Sequence, residues 1–146
     1  SCGGYSRTLG YFFHKTYPDH IISCNYSINI LELTTVMVAL KLWGAKLKGH
    51  RVQVYCDNQT SVMVMNSGKA RNRTLNACLR EIAYLCSVFE MEIQACQLSS
   101  DSNRLADYLS RVSLNSDNLT HFLTEKDFQA QEVNVTDELF NFVADW

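Results

Sequence analysis

The alternation of strand-like and helix-like segments along the first 111 residues most constrains the fold of this chain. Apolar side chains recur at spacings of three and four from about Asn29 to Leu47, which predicts a long helix with one apolar stripe (Leu33, Val36, Leu40, Trp43 and Leu47). Lys48, Gly49 and His50 are expected to end it. The segment from Arg51 to Asp57 alternates and is rich in valine and tyrosine, which is typical of a strand in the middle of a sheet.

The remaining segments continue this alternation. Gly10 to Phe13 and His20 to Cys24 are predicted strands, and Met91 to Leu98 is another. Helices are predicted at about 59–65, from about 75 to 89 and from about Asn103 to Leu109. Strands that alternate with helices predict an α/β domain whose mixed sheet is covered by helices. The polar residues 112–146 are expected to be a linker and tail, with a short helix from Asp137 to Trp146.

Composition narrows the class of protein. The 146 residues suffice for one ordinary domain, and 47% hydrophobic with 19% charged residues is a globular profile. A net charge of −2 means that nucleic-acid binding would need a local basic patch. We expect no membrane segment and no secretory leader. The six cysteines are scattered, which favours neither a zinc site nor a disulfide framework and indicates an intracellular location, cytoplasm or nucleus.

Three acidic residues carry the strongest functional signal. Asp57 ends a predicted strand, Glu32 lies in the first turn of the preceding helix, and Asp107 lies on the helix after the last strand. Functional groups of open α/β sheets collect at the carboxyl ends of strands, so these carboxylates are expected to converge. Oxygen ligands without nearby cysteine or histidine favour Mg²⁺ or Mn²⁺. A pair of such ions hydrolyses phosphodiesters by activating water and stabilising the leaving oxygen.

Each carboxylate also has a purely structural interpretation. Glu32 would interact favourably with the helix dipole, and Asp57 would be a turn or capping residue. Asp107 would pair with Arg104 or Arg111 on its own helix. Taken singly these interpretations are the better ones, but order, spacing and context together favour a metal site.

The segment from about Ile28 to Arg111 resembles the ribonuclease H domain of retroelement reverse transcriptases, most closely the DIRS-like and gypsy-like kinds. The matching segments are Ile30-Leu31-Glu32-Leu33 with Ala39-Leu40, Val52 to Asn58, and Asn103-Arg104-Leu105-Ala106-Asp107-Tyr108-Leu109-Ser110-Arg111. Val133 to Trp146 is more weakly similar to the segment after the nuclease domain in DIRS-like polyproteins. The resemblance makes residues 1–111 a ribonuclease H-like domain and 112–146 a linker toward a following polyprotein region.

The resemblance implies a mixed five-stranded sheet flanked by helices and cleavage of the RNA strand of RNA–DNA hybrids with two divalent metals. Glu32, Asp57 and Asp107 would be the second, third and fourth carboxylates of the family's tetrad. Two positions depart from the pattern. Ser1 to Tyr5 looks like the Gly-rich turn that follows the first aspartate, which would fall slightly before Ser1. Gln97 stands where the family often has a histidine.

A hybrid duplex is bound through its phosphates and 2′-hydroxyls rather than by base sequence. The basic loop formed by residues 69–73, with Lys69, Arg71 and Arg73, is expected to contact phosphates, although a solvated surface turn is equally consistent with it. The expected substrate-binding residues are Asn29, Asn58, Gln59, Lys69, Arg71, Arg73, Gln97 and Asn103. The expected partners are the hybrid and the reverse transcriptase domain of the same polyprotein.

Two alternatives remain open. One is a catalytically degenerate ribonuclease H-like domain that serves as a nucleic-acid-binding or connecting scaffold. The other is an integrase-like transferase of the same superfamily, against which the Asp107 segment argues because those enzymes typically end with a glutamate on a later helix.

Overall fold

The computed structural model describes residues 1–142, and these form a mixed α/β fold, which confirms the predicted class. The described strands are β1 (Cys2–Ser6), β2 (Tyr11–Lys15), β3 (Arg51–Cys56), β4 (Glu92–Gln97) and β5 (Gln131–Glu132). The helices are α1 (Asp19–Ile22), α2 (Ile28–Trp43), α3 (Gln59–Ser67), α4 (Arg73–Val88), α5 (Arg104–Ser110) and α6 (Asp117–Glu125), with 3₁₀ turns at Gly44–Lys46 and Asp137–Phe140.

The strands form two separate sheets instead of one sheet of five. One has the order β1-β2-β5, with β1 antiparallel and β5 parallel to β2. The other is the parallel pair β3 and β4, joined through α3 and α4. The expectation that β3 lies in the middle of a sheet is therefore wrong. Exposed and more buried side chains do alternate along β3, but Val52 and Val54 are only half-buried because one edge of the strand is unpaired.

The segment likened to a Gly-rich turn, from Ser1 to Tyr5, is instead mainly strand. Cys2 pairs with Lys15 and Ser6 with Tyr11, so β1 and β2 form a regular antiparallel hairpin. Glycine is needed at position 3 because a Cβ there would lie 2.5 Å from the Leu109 Cβ. This close approach lets α5 pack directly on β1.

Helix α2 is the most buried element. Its expected stripe is confirmed for Leu33, Val36, Leu40 and Trp43, and Met37 is also fully buried. The segment Ile28–Lys46 passes a test of length and composition for a membrane span, with a mean hydropathy of 1.4, although half of the tested window is buried within the fold. A helix that packs against neighbours on several sides has apolar residues around most of its circumference, and it therefore passes the same test.

The helix ends earlier than expected, at Trp43 instead of near Lys48. Gly44 begins a 3₁₀ turn, and a Cβ on Gly44 would lie 2.3 Å from the Phe89 ring. Gly49 then takes φ +78° and donates its N–H to the Glu90 carbonyl at 2.9 Å. The glycines thus permit close packing at one point and a left-handed turn at the other.

The strand expected from His20 to Cys24 is wrong, because this segment begins with helix α1. The Ile22 N–H donates to the Pro18 carbonyl at 3.1 Å, which is a helical hydrogen bond. Of the two adjacent isoleucines, Ile21 is buried and Ile22 is 57% exposed. A single short helical turn therefore provides backbone hydrogen bonds to this segment without a neighbouring strand.

Residues 117–142, expected to belong to a linker and tail, pack against the rest of the domain. Phe122 of α6 is fully buried against Phe12, with ring centroids 4.8 Å apart. β5 extends the first sheet, and Phe140 packs edge-on against Tyr17. The helix expected from Asp137 to Trp146 is only a 3₁₀ turn at Asp137–Phe140, and residues 143–146 lie outside the described residues.

A buried ion pair joins α2 to α4. Lys41 Nζ lies 3.6 Å from Glu81 Oε1, with the two side chains 10% and 0% exposed. Burial lowers the pKa of Lys41 and the neighbouring carboxylate acts against that shift. Lys41 also donates to the Asn141 carbonyl, which ties the last described residues to the same helix.

We predict that Lys41→Met destabilises the fold by about 2–4 kcal/mol, because it removes the cation beside a buried carboxylate. Urea denaturation measures the loss. The double variant Lys41→Met/Glu81→Leu is expected to recover most of the stability, since it removes both charges together. Equal stability of Lys41→Met and the unmodified protein would contradict this account of the pair.

Candidate metal-binding site

Two of the three expected carboxylates lie near enough to each other, at the carboxyl end of β3, for their charges to interact. Asp57 follows the last residue of this strand and is exposed, whereas Glu32 is half-buried in the second turn of α2. Their charges interact, because Asp57 contributes to raising the pKa of Glu32. The helix and the strand thus bring together two acidic groups that are 25 positions apart in the chain.

Glu32 is held in an environment that disfavours its charge. Burial is the largest cause of its raised pKa, and the Asp57 charge is the second. The Cys56 thiol donates a hydrogen bond to the Glu32 carboxylate, which acts in the opposite direction. A divalent cation between the two carboxylates would remove the repulsion, so this pair fits a hard cation bound by oxygen ligands.

Two cysteines flank Glu32 and are neutral at pH 7. Burial raises the pKa of Cys56 to about 12 and that of Cys2 to about 11, and the Glu32 charge contributes to both shifts. Thiolates bind zinc, so thiols kept protonated leave the carboxylates as the charged ligands of this site. The alternation of β3 places Cys56 on the buried side of the strand, so the sequence pattern alone could have predicted that its thiol lies inside the fold.

The third carboxylate, Asp107, forms an ion pair on its own helix. Its Oδ1 accepts a hydrogen bond from Arg111 Nε at 3.0 Å, and its side chain is 42% exposed. This is one of the structural interpretations considered from the sequence. Within residues 1–142 no group of three or more Asp, Glu, His or Cys side chains is placed to hold a metal ion. The three expected ligands therefore do not form a single cluster.

A cleft of about 1090 Å³ begins at this site. It lies between β1 and β3, with the side of α2 that carries Glu32 along it. Asn103, which directly precedes α5, and Ala106 of α5 also line it, and Asn103 is 9% exposed. Asp107 thus lies on a helix whose neighbouring residues reach the cleft, although its own side chain turns to Arg111.

The other expected contact residues take different positions. The Asn58 side chain caps α3 by accepting from the Ser61 N–H at 2.9 Å, and Gln59 is exposed beside it. Asn29 is half-buried in the first turn of α2. Gln97, the last residue of β4, is exposed.

The basic loop is well fixed and exposes its cations. Asn72 caps α4, accepting from the backbone N–H groups of Thr74 at 2.8 Å and Leu75 at 3.0 Å. Asn76 accepts from the Ala70 N–H at 2.8 Å. The cationic side chains of the loop are all exposed: Lys69, Arg71 and Arg73. The nine residues of α3 separate the loop from Asn58 by about 13 Å, at the usual rise per residue.

A scan of protein-family models and searches of curated proteins and of solved structures found no match to this chain.

We predict that Glu32→Gln stabilises the protein at pH 7, because it removes a charge that burial and the Asp57 carboxylate disfavour. A raised pKa means that the folded state holds this proton more tightly than the unfolded state, whose ordinary value is 4.5. The stabilisation that Glu32 contributes is thus complete below pH 4.5 and is lost as pH rises through the folded pKa. Thermal denaturation between pH 4 and pH 8 measures the effect, and an equal advantage of the variant at every pH would contradict it.

We also predict that Arg111→Ala tightens Mn²⁺ binding by roughly threefold to tenfold, because it frees Asp107 and removes a nearby positive charge. Isothermal titration calorimetry measures the affinity. Arg104→Ala is the matched control, since Arg104 is on the same helix and pairs with Glu125. An equal change of Mn²⁺ affinity in both variants would mean that the loss of one positive charge is the whole cause and that Asp107 is not a ligand.

Proposed function

We propose that this chain is a ribonuclease H-type endonuclease domain from a retroelement polyprotein, which cleaves the RNA strand of RNA–DNA hybrids with Mg²⁺ or Mn²⁺. The observation that carries the proposal is the electrostatic interaction between Glu32 and Asp57 near the carboxyl end of β3. Two acidic groups kept close despite their repulsion are typical of a functional site rather than of a structural pair.

The order of elements is consistent with this assignment. A hairpin, a long helix, a strand, two helices, a second parallel strand and a further helix follow one another along the chain. The ribonuclease H-like fold remains part of the proposal, since the five strands lie in two sheets.

The residues of this chain would act by positioning. Glu32 and Asp57 supply oxygen ligands, and the Cys56 thiol orients the Glu32 carboxylate by donating to it. Bound divalent ions supply Lewis-acid activation of water and stabilisation of the leaving oxygen. Asp107 would complete the ligand set once its ion pair with Arg111 is broken. The Arg111 guanidinium would then be free to contact a phosphate.

The basic loop is suited to hold the duplex at a distance from the cut. Its three cations lie about 13 Å along α3 from the residues next to Asp57, which corresponds to roughly four nucleotides along a helical strand. Phosphate contacts at that distance set the register of the duplex without reading its bases.

Two observations favour a second candidate, a ribonuclease H-like domain that binds nucleic acid without cutting it. Asp107 is paired with Arg111, and the exposed Gln97 cannot titrate as a histidine would at that position. A domain of this kind would keep the basic loop and lose metal-dependent cleavage.

We predict metal-dependent cutting of the RNA strand of a labelled RNA–DNA hybrid by this chain, increased in a version extended upstream of Ser1. Asp57→Asn is expected to lower the rate by roughly 100-fold or more, because it removes a charged ligand. Asp101→Asn is the matched control, as Asp101 is an exposed acid in the turn before α5.

Gel analysis of the labelled strand measures the rate with Mg²⁺, with Mn²⁺ and with chelator. Absence of metal-dependent cutting by the extended version would refute the enzyme proposal and leave the scaffold candidate. Equal cutting by Asp57→Asn and Asp101→Asn would refute the assignment of the site.

A further inference from the structure

We infer that the outer edge of β4 is a self-association surface for a second copy of this chain, and that the Asn66 side chain of α3 keeps this edge closed. Within residues 1–142 β4 pairs only with β3, so its other edge has no neighbouring strand. Unpaired strand edges present rows of N–H and C=O groups that pair readily with another chain. The inference is independent of whether the protein binds metal or cuts RNA.

Every second residue of β4 directs its backbone groups to this outer edge. The Glu92 N–H donates to the His50 carbonyl at 3.2 Å, and the Leu98 N–H donates to the Cys56 carbonyl at 2.8 Å, so these residues face β3. The backbone groups of successive residues in a strand point to opposite edges. The residues that face outward are therefore Ile93, Ala95 and Gln97.

The Asn66 side chain occupies the middle of this edge. Its Nδ2 donates to the Ala95 carbonyl at 2.9 Å, and its Oδ1 accepts from the Ala95 N–H at 2.9 Å. Two residues that lie directly opposite each other in an antiparallel pair exchange hydrogen bonds in the same way. One side chain thus takes the two backbone groups that a neighbouring strand would need.

The sequence of β4 has none of the usual protection of an edge strand. Natural edge strands are commonly protected by lysine, by proline or by a bulge. The strand reads Glu-Ile-Gln-Ala-Cys-Gln, without lysine or proline, and it pairs with β3 in unbroken register. Its only charged residue is Glu92, at the start. The protection of this edge therefore comes from α3.

The edge is self-complementary, which is why the occupant is a second copy. An antiparallel copy would place each Ala95 opposite the other, and each Ile93 opposite the Gln97 of the second copy. Such a pair has two-fold symmetry, the commonest arrangement of protein dimers. Glu92 would lie opposite Leu98, so no like charges would face each other across the pair.

The variant Asn66→Ala tests the inference. Asn66 is exposed, whereas Ser61 and Met65 anchor α3 in the core, so the variant keeps the buried contacts of this helix. In dilute solution the Ala95 amide is expected to exchange its hydrogen roughly tenfold faster or more than in the unmodified protein. At high concentration the exchange is expected to slow again, because a second copy replaces the Asn66 side chain.

Sedimentation velocity over a wide range of concentration measures the association directly. Asn66→Ala is expected to form dimers as its concentration rises, whereas the unmodified protein stays monomeric. Asn76→Ala is the matched control, because Asn76 makes the same two hydrogen bonds with the backbone of Ala70, in a loop instead of a strand. It loses similar bonds, opens no strand edge and is expected to stay monomeric.

The double variant Asn66→Ala/Gln97→Pro locates the contact. Proline at position 97 removes an outward N–H and no hydrogen bond to β3, so it blocks pairing at this edge and is expected to restore the monomer. A monomeric Asn66→Ala at every concentration would overturn the inference. So would dimers of Asn76→Ala, of the unmodified protein or of the double variant that form as readily as those of Asn66→Ala.

Discussion

The packing of α2 is the constraint on which the rest of the structure depends. Within the described residues no strand pairing joins the two sheets, and α2 contributes to the apolar clusters on both sides. Leu33 and Met37 pack with the β3, β4 and α4 side, whereas Val38 and Trp43 pack with the β1 and β2 side. Because Glu32 is on this same helix, the apolar core sets where its carboxylate lies relative to Asp57.

This arrangement places a carboxylate where its charged form is unfavourable. The core holds Glu32 partly buried beside a second carboxylate, and both burial and repulsion make that position unfavourable for a charge. A divalent cation would convert the same geometry into a favourable one. Glu32 also lines the cleft between β1 and β3.

The sequence predicts the parts of the fold that have strong local periodicity. The stripes of α2 and α4 and the alternation of β3 extend over many residues, so their identity did not depend on distant contacts. The segment from His20 to Cys24 is too short for a period to be seen, and hydrogen bonds to Pro18 and Asp19 make it helical. The packing of Phe122 and Phe140 rests on contacts far along the chain, which no local pattern shows. For the site, the order of helix and strand was enough to predict that Glu32 and Asp57 lie near each other. Asp107 could not be placed in the same way, because either a metal ion or an arginine of its own helix was a chemically reasonable partner.

The pKa of the Glu32 carboxyl, followed by NMR with and without Mg²⁺, tests the central claim most directly. The account predicts a value above the ordinary 4.5 without the cation, a decrease on adding Mg²⁺, and a smaller starting shift in Asp57→Asn. A value near 4.5 that responds neither to Mg²⁺ nor to Asp57→Asn would contradict the claim that these two carboxylates form a cation site.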